Sequence, residues 1–401
     1  MVESYEMSYN PSKRDGSNVK IGLDARTAIG NISGVGNYLI RIIEAGAFSN
    51  HTLYAYYDER ADGHPPDIDL PEETTLIWRP ISTPQFVDRV FGPASPLWWV
   101  NITLYRSLRQ DNIEAFFGPN FVQPIPFDGP STIIVHDVIH REYSDAHPTP
   151  YCWYLQASLT GSLWKADQVI TVSEHSKQDL LKYHEVDPQT IAVASGAAAE
   201  QYQPRDLTEQ TRERLRKKFD LPDKFLLYVG NIEPRKNITG VLEALSKIRD
   251  EDRPPLVIVG KEHVVDEEFS EKYQKCSFQD DIIFTGYVPE EDLPILYNMA
   301  SVFVFPSFYE GFGLPVLEAL QSGTPVVTSD SSSLPEVAGD AAISVNPQAN
   351  DQIKDAILQL WADHEMRSDY RKRGLQRAQQ FSWTQTAARI SEVCNQCFLN
   401  K

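Results

Sequence analysis

Short apolar runs rich in β-branched residues recur along this chain, each closed by turn or polar residues and followed by a helical pattern. The first half carries Val19–Leu23, Thr132–Val135 and Gln168–Val172. The second carries Phe225–Val229, Leu256–Val259, Ile282–Thr285, Val302–Phe305 and Pro325–Thr328. Runs that are apolar at almost every position predict strands buried on both faces, and hence parallel sheets covered by helices. Their alternation with helical segments predicts doubly wound α/β domains. At 401 residues the chain exceeds what one hydrophobic core ordinarily serves, so two domains are expected. A boundary falls between Ala199 and Pro222, where Gln201–Pro204 reads as a linker and Leu207–Phe219 as a charged helix with a solvated face. The expected organisation is a disordered leader over 1–18, Rossmann-like domains over 19–205 and 206–380, and a terminal helix over 381–401. A return of that helix to the first domain is one reading.

Charge narrows the partners. With 56 acidic and 37 basic side chains the formal charge is -19, which argues against DNA or RNA, because phosphate neutralisation needs a basic surface. One small anion held by a few local cations remains compatible. Residues 1–18 lack the apolar centre of a signal peptide. No apolar run approaches the roughly 20 residues that span a bilayer. Cys394 and Cys397 form a CxxC, but no second pair or nearby histidine completes a zinc site. They lie inside the last helical pattern and read as small packed hydrophobes. A reducing, cytoplasmic setting is expected. The stretch Phe91–Trp99 reads either as a surface for weak peripheral membrane or acceptor contact or as buried helix packing. The helical spacing of Leu97, Val100, Leu104 and Leu108 favours packing.

In open α/β sheets ligands bind beyond the carboxyl ends of the strands. Gly34-Val-Gly36, His136-Asp137, Ser173-Glu174, Gly230–Lys236 and Ser307–Gly313 each follow one of the apolar runs. Strand ends drawn from both halves predict one cleft between facing domains. Within Ser307–Glu318, Pro315 suits the first position of a helix that Gly323 ends. Gly311 and Gly313 would let the backbone approach a ligand just ahead of it. Free amides at such a helix start make a phosphate site. Glu310 falls in the loop and Glu318 about one turn inside the helix, so their carboxylates reach different parts of one ligand. Arg235 and Lys236 precede the helical pattern Ile238–Ile248. Cations at a helix start are unfavourable without an anion, and the pair reads as a diphosphate clamp. His136 alone is ambiguous between a site residue and a satisfied polar group. No GxGxxG, P-loop or GxSxG motif is present.

Together these residues carry a resemblance. Phe305-Pro-Ser-Phe-Tyr-Glu-Gly-Phe-Gly-Leu-Pro-Val-Leu-Glu318 resembles the E-x7-E signature of the retaining glycosyltransferases of family 4, which have the GT-B fold. The similarity extends through Leu227–Asn231, Glu233–Asn237, Phe284–Val288, Gly323–Val327 and Ser333–Ala342. In the first half it rests on Ile21–Asp24, Ser33–Tyr38, Val135–Asp137 and Thr171–Glu174. The resemblance implies an α/β GT-B architecture, two Rossmann-like domains facing across a cleft. It implies that Glu318 binds the donor ribose, and that Glu310 holds the transferred sugar and distal phosphate with amides around Phe312–Leu314. Arg235 and Lys236 would neutralise the diphosphate, and His136 would contact the sugar near the reacting centre. Gly36 would let the first-domain loop approach, with Gly34, Gly311, Gly313 and Tyr287 completing the donor-binding set. Many members carry arginine directly after the glycine that closes the domain's first strand. Asn231 stands there, and Arg235 is expected to supply that charge.

The reaction so implied retains anomeric configuration, needs no metal or other cofactor, and moves a hexosyl group from a nucleotide diphosphate sugar. Likeness to mannosyltransferases of polysaccharide and lipid-linked glycan synthesis points to GDP-mannose, with UDP- or dTDP-sugars as alternatives. The acceptor would be a glycan or a lipid-linked glycan. A nucleotide-sugar epimerase on the same scaffold and a catalytically silent nucleotide-sugar-binding subunit remain as other readings.

Overall fold

A computed structural model of the chain describes residues 18–30, 32–84, 86–92, 95–142, 149–260 and 267–399. The expected leader, apart from Asn18, lies outside the described residues, as do Pro93 and Ala94.

In the first domain the strands are β1 (Lys20–Asp24), β2 (Thr52–Asp58), β3 (Thr75–Ile81), β4 (Ala115–Gly118), β5 (Ser131–Val135), β6 (Gln168–Thr171) and β7 (Ile191–Val193). They pair in the order β3-β2-β1-β4-β5-β6-β7, every pair parallel. In the second domain β8 (Leu226–Val229), β9 (Leu256–Val259), β10 (Ile282–Gly286), β11 (Val302–Phe305), β12 (Val326–Ser329) and β13 (Ile343–Val345) form a second parallel sheet. Its order is β10-β9-β8-β11-β12-β13. The eight apolar runs form β1, β5, β6 and β8–β12 as expected, and five further strands, β2, β3, β4, β7 and β13, complete the two sheets. Each sheet reverses its winding once, between β1 and β4 and between β8 and β11. Loops diverge at such a reversal and leave a crevice. The candidate site sits there.

Burial explains which strands the hydrophobic pattern reveals. β4, β5, β8, β9, β11 and β12 are covered on both faces, and Phe117, Ile134, Leu226 and Phe303 are fully inaccessible. β3 lies at the sheet edge, mixes apolar Leu76, Ile77 and Trp78 with polar Thr75 and Arg79, has no fully buried residue and carries Pro80, which an edge strand tolerates. Its pattern is too mixed to stand out from the flanking loops.

The chain crosses between domains twice. The linker around 194–205 leads into the helix Glu209–Phe219. Its basic face is not simply solvated: Arg214 and Lys218 both contact Asp292 at 2.7 Å, a carboxylate 1% exposed. The terminal helix Trp383–Leu399 returns to pack on the first domain, against the helix Gly34–Glu44 and strands β5 and β6. Thr386 donates to the Ser195 carbonyl at 2.6 Å, and the Cys397 Sγ lies 3.6 Å from the Ser131 carbonyl. Cys394 and Cys397 are buried and not in a disulfide, and burial pushes the Cys394 thiol far above the usual range. They are packing residues. Trp99 is likewise interior, in a cluster with Val100, Leu104, Leu108 and Phe116. Of the aromatic pair once open to a surface role, only Trp98 stays half-buried, and it meets Phe86 edge-on. Among the described residues, no helix is long and apolar enough to cross a membrane.

Candidate active site

A cleft of about 280 Å³ opens between the domains. The first domain contributes Gly34, Val35, Tyr38, His136 and Asp137, and the second contributes Lys236, Glu310 and Gly311–Pro315. Each group sits at the end of a strand: β1, β5, β8 and β11 aim their following loops at one space.

The second-domain wall is the loop between β11 and the helix Leu314–Ser322, whose first turn contains Pro315 and whose N-terminal boundary is Gly313. Gly313 has φ 109°, a left-handed conformation that side chains resist, and a Cβ there would meet Leu334 at 2.6 Å. Gly311 answers a different need. A Cβ on it would come within 2.5 Å of the His136 carbonyl, so this glycine lets the two domains touch. Both glycines line the cleft, and each also answers a backbone constraint within the protein. No side chain caps the helix start, which leaves an uncapped positive dipole end facing the cleft.

Arg235 and Lys236 part company. Arg235 binds Glu310 at 2.9 Å, Glu233 at 3.0 Å and the Tyr309 carbonyl at 3.1 Å. Its charge is committed to these groups and it does not line the cleft. The Arg235 guanidinium is thus turned onto Glu233 of its own loop and Glu310 of the loop after β11. Lys236 does line the cleft, with its stem folded over Gly230 and its Nζ 3.1 Å from where a Cβ would stand. Among the described residues, no carboxylate comes within ion-pair distance of this ammonium. Burial lowers its pKa, opposed by Glu310 and reinforced by Arg235. A partly buried cation without a counter-ion is a place prepared for an anion.

Glu310 is held by Arg235 and by Ser307, whose hydroxyl donates to Oε1 at 3.1 Å. Both contacts fall on one oxygen, and Oε2 has no protein partner among the described residues. Ser333 places its hydroxyl between the carbonyls of Glu310 and Phe312, 2.8 Å from each. Asn237, with φ 55°, donates to the carbonyls of Pro306 and Pro347 and accepts from Gly240 N–H at 3.1 Å. This one amide ties the Lys236 loop to the Glu310 loop.

In the first domain, His136 has its ring Nε2 2.9 Å from the Pro119 carbonyl. A carbonyl only accepts, so Nε2 carries the proton and Nδ1 is the acceptor nitrogen. Burial lowers its pKa and favours the neutral ring. Tyr38 packs edge-on against it at 5.2 Å. Gly34 borders open space, whereas a Cβ on Gly36 would meet the Thr27 carbonyl at 2.0 Å. Gly36 therefore serves packing inside the helix Gly34–Glu44, capped by Ser33. The motif is a helix start rather than a loop.

The remaining two expected donor contacts lie outside this cleft. Tyr287 follows β10 and is 75% exposed. Glu318 sits inside the helix and accepts from the Tyr297 hydroxyl at 3.0 Å. Burial raises its pKa to about 7, with the hydroxyls of Tyr297 and Tyr202 holding it back.

Several residues that close the site have no role assigned from the sequence. Tyr309 donates across the domain boundary to Asp179 at 2.8 Å. Ser173 and Ser176 donate to the Gly311 carbonyl at 2.7 and 3.1 Å. Glu336 accepts from the backbone N–H groups of Glu174 and His175, at 2.8 and 2.6 Å, and so caps a helix of the other domain. Among the described residues, no group of three His, Cys, Asp or Glu could hold a metal ion.

Comparison with known proteins finds relatives over much of the chain. Residues 209–377 match the family model described as "Glycosyl transferases group 1". The chain is 37% identical over 280 residues to the O-antigen chain mannosyltransferase B of Escherichia coli, covering 69% of this chain and 73% of that protein. It is 33% identical over 282 residues to the serotype-specific mannosyltransferase WbdA of Escherichia coli, covering 67% of this chain and 34% of that longer protein. Among solved structures, sucrose-phosphate synthase from Thermosynechococcus elongatus aligns with TM-score 0.73 at 19% identity, over 96% of this chain and all of that one. That likeness carries the GT-B fold alone.

Proposed function

Because the chain belongs to the group 1 glycosyl transferases, we propose that it is a retaining hexosyltransferase moving mannose from a nucleotide diphosphate sugar to a glycan or lipid-linked acceptor. The observation that carries the donor class is Lys236: a partly buried ammonium with no ion pair among the described residues, lining the same cleft as an uncapped helix start. Two preorganised sources of positive potential at one point suit a diphosphate. Breaking the anomeric bond puts negative charge on that leaving group, and both sources act where the charge develops. They supply this stabilisation without a metal ion.

Glu310 is a positioning residue in this reading. Its free Oε2 accepts from a sugar hydroxyl, while Arg235 and Ser307 fix its orientation. His136 offers Nδ1 to the same sugar from the first domain. Attack on the face of the departing phosphate lets that phosphate take the acceptor's proton. The product then keeps the donor's configuration. Mannose rests on the mannosyltransferase relatives, and GDP is the nucleotide that accompanies it in the expected donor.

The test is incubation of the purified chain with GDP-mannose, UDP-glucose and dTDP sugars, with and without glycan acceptors. NMR should show an α-linked product from GDP-mannose, formed equally well in EDTA. An inverted product would overturn the retaining assignment, and conversion of donor in the absence of acceptor would favour the epimerase.

A further inference from the structure

Glu318, expected to contact the donor, sits within the helix Leu314–Ser322. Two phenols converge on it. Tyr297, fully buried in the helix Leu293–Met299, donates to Oε2 at 3.0 Å. Tyr202, 6% exposed, presents its hydroxyl to the same carboxylate from the linker. The rings pack edge to face, with centroids 5.6 Å apart and planes at 78°. Phe303 of β11 backs Tyr297 at 5.4 Å.

The linker segment carrying Tyr202 is itself fastened to the second domain. Gln321 donates to the Ala199 carbonyl at 2.9 Å, and Asn298 bonds both the Gln203 carbonyl and the Arg205 N–H, at 3.0 and 2.8 Å. Tyr202 thus travels with the helix that bears Glu318.

We propose that Tyr202 and Tyr297 are positioning residues for ribose recognition, holding the Glu318 carboxylate so that its remaining lone pairs meet the 2′,3′-diol of the donor nucleotide. The inference rests on the reading of Glu318 as the ribose contact. A carboxylate accepts at about four lone-pair sites; the Tyr297 hydroxyl occupies one, the Tyr202 hydroxyl lies beside the group, and a diol takes others. A phenol that donates to this carboxylate stabilises its ionised form, which is the form a diol needs. Burial and the Glu290 carboxylate oppose ionisation. The arrangement therefore links nucleotide affinity to loss of a proton from Glu318.

The experiment uses the full chain with GDP and UDP and their 2′,3′-dideoxy analogues, titrated calorimetrically across pH. For whichever base binds more tightly, Tyr202→Phe and Tyr297→Phe should each shrink the ribo-over-dideoxy preference about threefold to tenfold, the size of one ordinary hydrogen bond. Dideoxy affinity should stay at the wild-type level. The midpoint of the pH dependence should rise, because the ionised carboxylate has lost a donor. A role in packing alone would weaken ribo and dideoxy forms equally, and that outcome overturns the proposal. Glu318→Gln separates the two levels. If it leaves the ribose preference intact, the ribose reading fails. If it abolishes the preference while both phenylalanine variants keep it, only the phenol proposal fails. The rings are retained in both variants, and their thermal melts report whether packing is preserved.

Discussion

Replacing Lys236 with methionine removes the ammonium while keeping most of the length and apolar character of the stem. In the free protein this charge has no ion-pair partner among the described residues, and burial holds its pKa below the ordinary lysine value. Its protonated form therefore costs folding free energy at neutral pH, and the variant should melt at the same temperature or higher. The donor complex behaves in the opposite sense. A unit charge about 4 Å from a phosphate charge is worth about 4 kcal/mol at an effective dielectric constant near 20. Part of that acts on bound donor, and part appears only as the leaving group gains charge. Removal of one preorganised stabiliser of this kind costs about 100- to 1,000-fold in turnover. Lys236→Met should accordingly lose at least about 100-fold in kcat, with a smaller rise in KM. Steady-state kinetics, differential scanning calorimetry and nucleotide titration measure the three quantities. Turnover within about threefold of wild type, well short of the loss expected for a charge stabiliser, would refute the reasoning, because it would put the diphosphate elsewhere. A marked drop in melting temperature would show instead that the ammonium serves the fold.

Three further outcomes are expected. Tyr309→Phe removes an interdomain hydrogen bond to a buried carboxylate, worth about 1.5–3 kcal/mol; hydrogen exchange should speed up in residues 173–176 and kcat/KM should fall roughly tenfold, and unchanged exchange would show that this bond does not hold the domains together. Asn237→Ala forfeits two buried donations, a helix cap and a residue tolerant of positive φ, together about 3 kcal/mol; the melting transition should move down by roughly 5–10 °C, and a glycine at the same position should recover part of the loss. Glu318 has a folded pKa of about 7, above its unfolded value, so folding takes up a proton: the stability it contributes is complete below the unfolded pKa and is lost as pH rises through about 7. Nucleotide affinity runs the other way, falling up to about tenfold per unit as pH drops below that midpoint, and a flat profile in wild type that Glu318→Gln leaves unchanged would remove the linkage.

Much of this was legible from residue order alone. Runs such as Val302–Phe305 and Leu256–Val259 are apolar at every position, and a strand so composed must be covered on both faces. From that follow parallel sheets, strand-end loops and a cleft, which is why Lys236, Glu310 and His136 could be named as site candidates before any coordinates. Local chemistry also sufficed for the helix start at Pro315 and its stop at Gly323.

Partner choice was not legible, because hydrogen bonds do not carry a label in the sequence. Arg235 and Lys236 are adjacent and alike in charge, yet one is closed onto Glu310 and Glu233 while the other is left facing the cleft. Ser333-Leu-Pro-Glu336 has the spacing of a capping box, which would satisfy its own helix. Instead Ser333 supports the Glu310 loop and Glu336 caps a helix of the other domain. Gly311 and Gly36 answer to backbone atoms 175 and 9 positions away in the chain, His136 O and Thr27 O. Apolar periodicity follows from which face is buried, a local property of each strand or helix. Which donor meets which acceptor depends on where distant backbones come to rest, and only the packed tertiary structure decides that.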